Sequence, residues 1–374
     1  MRVTQVESFP ITLSLNNPIK MSHVTIAESH NVLVKVSTDE GIVGWGEGVP
    51  AARLTGETQS RILASVEHLA PLVIGEDPRL RTPLWNSLTS AVSGNRTAIG
   101  AIDIALHDIS GKVFGLPVHQ LLGGQHRHLV PALTLLGTGD PAADAREAAG
   151  RYASGYRWFK LKLGLTDPDT ELETFEAIAG AVGDDAVLSG DANEAWSEGE
   201  AIQFIGRLDG LPIRFIEQPI PAGDLAALAR VAGRVPLSIC ADESIQSPGD
   251  IIRVSGTAVA GVSLKLIKLG GITGVMRGAR LCESHRLHIN LAGKVAESTV
   301  AAAANVHAAA AIHETYYGVS PANQGVARDV SHRPIAMVDG AFPVPQTPGL
   351  GVDVDEGLVE DLRTPSSRRL RDDS

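Results

Sequence analysis

The chain has 374 residues, 44% of them hydrophobic and 20% charged, the balance of an ordinary globular protein and enough chain for two or three domains or one large barrel with an addition. Its 32 Lys and Arg against 43 Asp and Glu leave a net charge of −11, which argues against nucleic acid or an anionic membrane surface as partner, but not against an anionic substrate, because local charge can oppose the net. Cys240 and Cys282 are too few for a disulfide framework and read as two buried thiols. No secretory pattern and no apolar run of about 18 residues is present, so a cytoplasmic location is expected.

In chain order, the first 48 residues read as strands, with 31–37 and 41–47 flanking the turn Thr38-Asp39-Glu40 as a hairpin. From Thr58 to Phe114 the spacing is helical, most clearly in TAIGAIDIALHDISGKVFG, which stops at Gly115 and Pro117. LLGG at 121–124 is a plausible boundary. From 130 to 319 one unit repeats: a short apolar run, a Gly/Pro/Asp-rich turn, a helical stretch. The runs are VPALTLL, WFKLKLG, AVLSGDA, RFIEQP, LSICADE, GVSLKLI, HINLAG and the weaker ETYYGV. Strand alternating with helix predicts parallel βαβ units, and eight at this spacing predict a closed barrel with its active site at the carboxyl ends of the strands. An open doubly wound sheet is the alternative, weakened because no G-x-G-x-x-G follows a first strand. The Ala-rich stretch Val300 to Ala311 reads as a buried helix, 335–354 as short strands and turns, and RTPSSRRLRDDS as a frayed tail.

Polar residues mark the ends of five successive runs. Lys160 and Lys162 end the second, Asp191 and Asn193 the third, Glu217 the fourth, Asp242 the fifth with Glu243 after it, and Lys265 the sixth. Side chains alternate along a strand, so Lys160 and Lys162 share a face, as do Asp191 and Asn193. The steps from Lys162 to Asp191, Glu217, Asp242 and Lys265 are 29, 26, 25 and 23 residues, one βα unit each, which predicts that all five sit at one level. Three carboxylates on neighbouring strands suit a hard divalent cation, best Mg²⁺, while the lack of His and Cys in the set disfavours zinc. Strands two and six lie opposite in a ring of eight, so Lys162 and Lys265 face each other across the mouth. A lone acid at a strand end is usually a helix cap and a lone lysine is usually solvated. Five in step on consecutive strands are not explained that way.

K-L-K at 160–162, G-D-A-N at 190–193, I-E-Q-P at 216–219, A-D-E-S at 241–244, L-K-L-I-K-L-G-G at 264–271 and A-E-S at 296–298 resemble the enolase superfamily, and within it the muconate lactonizing enzyme subgroup. The GWGE hairpin and the helix ending in LLGG extend the resemblance over nearly the whole chain. It implies an α/β fold: a modified TIM barrel, (β/α)7β, over 126–324, with an α+β capping domain from 1–125 completed by 325–374. It implies Asp191, Glu217 and Asp242 as ligands of Mg²⁺, with Mn²⁺ as a substitute, Lys162 and Lys265 as the acid/base pair, support from Lys160, Asn193 and Glu243, and contact of Glu297 with the substrate region. The chemistry implied is removal of the α-proton of a carboxylate through an enediolate. A racemase or epimerase of an amino-acid derivative is favoured because both lysines are present; a muconate-type cycloisomerase, a β-elimination enzyme and a non-catalytic ligand-binding barrel are the alternatives. The expected partners are a small carboxylate and further copies of the chain.

No catalytic His stands on the seventh strand, where His288 occupies the wrong end and reads as structural. Lys268 reads as a loop cation, since only Lys265 continues the strand. Lys294 stands where the subgroup has small or apolar residues, and either touches substrate or points to solvent. Segments 16–25, with Met21, and 49–58, with Leu54, are expected to close over the barrel as loops. Dipeptide epimerases of the subgroup generally carry Asp-x-Asp at the eighth strand; here the region reads YYGVSPANQ, without an acid, which disfavours a free-amine dipeptide.

Overall fold

The computed structural model describes residues 1–21 and 24–364, leaving aside the side chains of residues 20–24. The segment 365–374, most of the expected tail, lies outside the described residues, as does the side chain of Met21.

Strands β1 (Val3–Met21), β2 (Val24–Thr38) and β3 (Val43–Gly48) form an antiparallel sheet in that order. Helices α1 (Gln59–Leu69), α2 (Arg81–Ala91), α3 (Arg96–Phe114) and α4 (Val118–Leu121) follow. Alternation on β2 splits its face: Val32, Val34 and Val36 pack with Ala98, Ala101 and Ile102 of α3, while Leu33 joins Ile11 and Leu13 in the core shared with the barrel. The α3 helix is buried on every side from Thr97 to Gly111, because it lies between the sheet and the barrel helices. The glycines of GWGE make this possible. A Cβ on Gly44 or Gly46 would run into the carbonyl oxygens of Ala105 and Ala101, so only glycine lets α3 lie backbone-to-backbone on β3.

Strand β4 (Leu129–Pro131) leads into the barrel strands: β5 (Leu133–Leu136), β6 (Trp158–Lys162), β7 (Val187–Asp191), β8 (Ile213–Glu217), β9 (Ser238–Ala241), β10 (Gly261–Leu264), β11 (His288–Ala292) and β12 (Val319–Ser320). They form an eight-stranded parallel sheet in sequential order, and a bridge between Ala132 and Val319 joins its ends. The open-sheet alternative is therefore excluded. The eighth strand is only two residues long, in keeping with the weak pattern of ETYYGV.

The crossovers are α5 (Pro141–Ala153), α6 (Pro168–Ala181), α7 (Glu198–Arg207), α8 (Leu225–Ala232), α9 (Pro248–Ser255), the single turn α10 (Leu266–Leu269) with α11 (Gly271–His285), and α12 (Thr299–Ala311). The turns end on capping side chains, Asp140, Asp167, Ser197, Asp224, Ser247 and Ser298, which accept from the first-turn amides and set each helix start. Beyond the barrel, β13 (Ala341–Pro343) pairs with β4, and α13 (Glu356–Asp361) precedes a return to the first sheet. Val326 bridges Leu15, Arg363 bridges Ile11, and Lys35 pairs with Glu356 at 2.6 Å.

Candidate active site

The inward face of β6 carries Lys160 and Lys162, and the same alternation delivers Asp191 from β7, Glu217 from β8 and, just past the last rungs of β9 and β10, Asp242 and Lys265. The register refines the expectation of one level. Lys162 pairs with Asp191 and Asp191 with Glu217, but Glu217 pairs with Cys240 and Cys240 with Gly261. Asp242 thus lies two residues beyond the partner of Glu217, and Lys265 two residues further again. Strands in a closed barrel are tilted and staggered, so a ring of side chains at one height climbs through the register.

Each carboxylate holds an ammonium group. Lys162 Nζ donates to Asp191 Oδ2 at 2.6 Å and to Asn193 Oδ1 at 2.7 Å. Lys160 donates to Glu217, which also accepts from the Ser263 hydroxyl and from Asn290 Nδ2 at 3.3 Å. Lys265 Nζ donates to Asp242 Oδ2 at 2.5 Å. Asn193 Nδ2 donates to Glu243 Oε1 at 3.1 Å, while Glu243 Oε2 is buried without a partner.

The electrostatics follow from this crowding. Burial opposes the charge on Lys265, but Asp242, Glu217 and Glu243 outweigh it and hold the lysine above its ordinary range. Burial likewise opposes ionisation of Asp242, yet Lys265 and Lys268 hold it well below the usual carboxylate range. Glu243, pressed by burial and by Asp242 and Asp191, is pushed up to about 8.

Lys268 is not a loop cation. It is wholly buried in α10, and its ammonium donates to Asp242 Oδ1 and Asp242 O, both at 2.6 Å, and to Ser263 O at 2.8 Å. The one-turn helix after Lys265 swings position 268 inward beneath Asp242, a turn that strand periodicity does not encode. Glu297 also departs from expectation: it is buried under the turn after β11, accepting from Lys294 N at 2.7 Å and Asn305 Nδ2 at 3.1 Å, and does not line the cavity. Burial pushes its carboxyl up to about 8. His288 packs its ring against Tyr316 at the far end of the barrel, as a structural residue would.

A cavity of about 610 Å³ opens above these groups, lined by Lys160, Lys162, Asp191, Glu217, Lys265 and Lys294. Its outer wall is Leu15, Asn17, Pro18 and Ile19. The described part of segment 16–25 therefore belongs to strands β1 and β2, which pair as far as Met21 with Val24, and not to a loop; residues 22 and 23 lie outside the described residues. Segment 49–58 packs Val49, Ala51 and Leu54 on Ile267, two residues past Lys265, and Leu54 itself stays outside the cavity lining.

Two positioning residues escaped the sequence reading. Gln218 sits at φ 33° and reaches across to β9, accepting from Asp242 N at 2.9 Å and donating to Ser244 Oγ at 2.9 Å, which fixes the backbone that carries Asp242. Glu47, the acid of GWGE, crosses from the first sheet to cap α12, accepting from Ser298 N, the Ser298 hydroxyl and Ala301 N at 2.7–3.1 Å. The signal for both was the motif itself, IEQP and GWGE, without a local reason for its polar residue.

A closed (β/α)7β barrel that gathers acids and lysines at the carboxyl ends of its strands, under an α+β cap, is the architecture of the enolase class. Residues 143–358 match the model of the enolase C-terminal domain-like family, and residues 4–123 that of the mandelate racemase / muconate lactonizing enzyme N-terminal domain. The chain belongs to this family, in the muconate lactonizing enzyme subgroup of the enolase superfamily. It is 31% identical to N-succinyl-L-Arg/Lys racemase of Bacillus cereus over 97% of this chain and 98% of the relative. It is 32% identical to chloromuconate cycloisomerase of Delftia acidovorans over 96% of this chain and 98% of the relative. The crystal structure of the Bacillus cereus racemase superposes with a TM-score of 0.92 at 30% identity, covering 97% of this chain and 98% of that one. The protein is an isomerase of this superfamily. Among the described residues no helix is long and apolar enough to cross a membrane.

Proposed function

We propose that this isomerase is a Mg²⁺-dependent racemase or epimerase of an amino-acid derivative, moving the proton on the carbon beside a carboxylate between Lys162 and Lys265. The observation that carries the reading is that both lysines line one cavity, on strands four apart in the sheet, with three carboxylates on the strands between them.

Among the described residues no three His, Cys, Asp or Glu side chains are gathered as they would be around a bound metal. The donor set fits a hard cation nonetheless: Asp191, Glu217 and Asp242 offer only oxygen, all three are buried, and Glu243 Oε2 is buried nearby without a hydrogen-bond partner. A divalent ion held there would take up the charge that grows on a substrate carboxylate as its α-proton leaves. The chain's residues do the rest. Were a divalent ion to take over Asp242, Lys265 would lose the partner that holds its charge; whichever of Lys162 and Lys265 is then the free amine would take the α-proton, and the other, as the ammonium, would return one to the opposite face. Asn193 orients Lys162, Lys268 and Gln218 hold Asp242 in place, and Leu15, Pro18 and Ile19 of β1 shield the mouth from water. Cycloisomerisation of a muconate-like diacid is the second reading, favoured by the equal likeness to chloromuconate cycloisomerase.

The test is a proton NMR screen of N-acylated amino acids and cis,cis-muconate in D₂O. Deuterium should enter the α-carbon with Mg²⁺, stop after EDTA and resume with Mg²⁺ or Mn²⁺. Full activity in the metal-stripped protein would sink the metal assignment, and lactone from muconate without α-exchange of any amino-acid derivative would establish the second reading.

A further inference from the structure

Lys162 and Lys265 are held in place by different means. Lys162 is a rung of the sheet, paired with Asp191, and the next amide, Leu163 N, still donates to Asp191 O at 2.9 Å. Lys265 lies past the last rung of its strand, where Leu264 pairs with Leu291, and stands at the head of the single turn α10. The turn therefore sets where this lysine stands.

On its barrel side α10 is held by Leu266 and Leu269, which join the core, and by the Lys268 bonds to Asp242 and Ser263. Its other side lies against α3 of the cap, and the cap meets the polar groups at its far end. Trp85 of α2, itself buried, donates its indole N–H to Gly270 O at 2.6 Å. Asp103 of α3 accepts from Thr273 N at 2.9 Å and from the Thr273 hydroxyl at 2.6 Å, which fixes the start of α11. Gly270 and Gly271, at φ 80° and 89°, reverse the chain between α10 and α11, and the cap fills the room around them. A Cβ on Gly271 would run into Asp103, and one on Gly100 of α3 would crowd Gly271 N. Arg277 of α11 in turn lies over the Trp85 ring at 4.3 Å. These contacts join the cap to the residues that follow Lys265, and none of them reaches β6.

We propose that Trp85 and Asp103 are positioning residues for Lys265, so that the docked cap sets the reach of one of the two lysines while the sheet alone carries the other. The consequence for catalysis rests on the two-lysine reading above; the anchoring of α10 does not.

Two measurements on the full chain in Mg²⁺ buffer keep these apart. The first is amide hydrogen exchange read by mass spectrometry, with no ligand present. In Trp85→Phe the amides of Lys268, Leu269 and Gly270, which donate to Lys265 O and Leu266 O, should exchange about ten- to a hundredfold faster, the scale of one lost buried hydrogen bond, with β6 unchanged. Thr273→Val, which removes one Asp103 bond, should act in the same direction and serves if the first variant does not fold. Val3→Ala, in the cap core at the start of β1, should lower the melting temperature and leave these amides as in the wild type. Amides of 268–270 that stay protected in both variants, or loosening that spreads equally to β6, would overturn the proposal. The second is α-deuterium exchange with both enantiomers of an N-acylated amino acid from the screen above. Trp85→Phe should lower kcat about tenfold or more, with KM kept, for the enantiomer that Lys265→Ala abolishes, and spare the other, because a displacement of about 1 Å at a reacting group costs about a hundredfold. Loosening at α10 with neither enantiomer slowed would also overturn the proposal. Loosening confined to α10 with both enantiomers slowed equally would remove the two-base assignment and leave the anchoring of α10 standing.

Discussion

Two lysines share Asp242, and they do different work. Lys268 is sealed at 0% exposure and bonds both the Asp242 carboxylate and backbone, while Lys265 reaches the cavity. Removing one member of a buried pair leaves an uncompensated charge, so Lys268→Met should cost about 3 kcal/mol. The denaturant midpoint reads this directly, and an unchanged midpoint would mean that the pair contributes nothing. Lys162 and Lys265, by contrast, should show their loss in stereochemistry. They stand on opposite sides of the mouth, so Lys162→Ala should abolish α-deuterium exchange for one enantiomer and Lys265→Ala for the other, each by about 10² to 10⁴. Wild-type exchange on both faces in both variants would remove the two-base assignment.

At the scale of elements, β3 and α3 pack backbone to backbone within the cap, which depends on the absence of a Cβ at Gly44 and Gly46, and both also reach the barrel: α3 lies on α10 and α11, and Glu47, next on β3, caps α12. Gly46→Ala would place a methyl group against the Ala101 carbonyl, a backbone atom that cannot rotate away. We expect a loss of about 1–3 kcal/mol, the range for overpacking, seen as a lower melting temperature. A melting temperature equal to wild type would show that α3 can move off the sheet without cost.

Across the whole molecule, His307 ties three distant segments together. From α12 its Nδ1 accepts from His119 N of α4 at 3.2 Å, so Nε2 carries the proton and donates to Leu350 O at 3.1 Å. The two imidazoles stack with centroids 5.4 Å apart. Burial, with His119 and His107 nearby, lowers the His307 imidazolium to about 3. Its folded pKa lies below the ordinary value of about 6.5, so the unfolded chain binds more protons between those two limits. Stability from this residue is therefore complete above about pH 6.5 and falls as the pH drops toward 3, by at most about 1.4 kcal/mol per pH unit. Thermal melts of wild type and His307→Asn from pH 7 to pH 4 check it: the wild type should lose more, and parallel slopes would refute the role.

The sequence by itself determined what repeats locally. Period-two alternation and one βα unit between acids were enough to place Lys160, Lys162, Asp191, Glu217, Asp242 and Lys265 on one inner face, and Gly115 was enough to stop α3. The tertiary structure alone decided what depends on partners remote in the chain. The barrel's stagger set how the acids climb the register, a one-turn helix sent Lys268 under Asp242, and Glu47 found its donors some 250 residues away on α12. It also decided that Lys294 would line the cavity, on a turn held by the buried Glu297 carboxylate. Periodicity is a property of the backbone and is written in spacing. Whether a charge is satisfied depends on which other chain segments pack around it, and spacing carries no record of them.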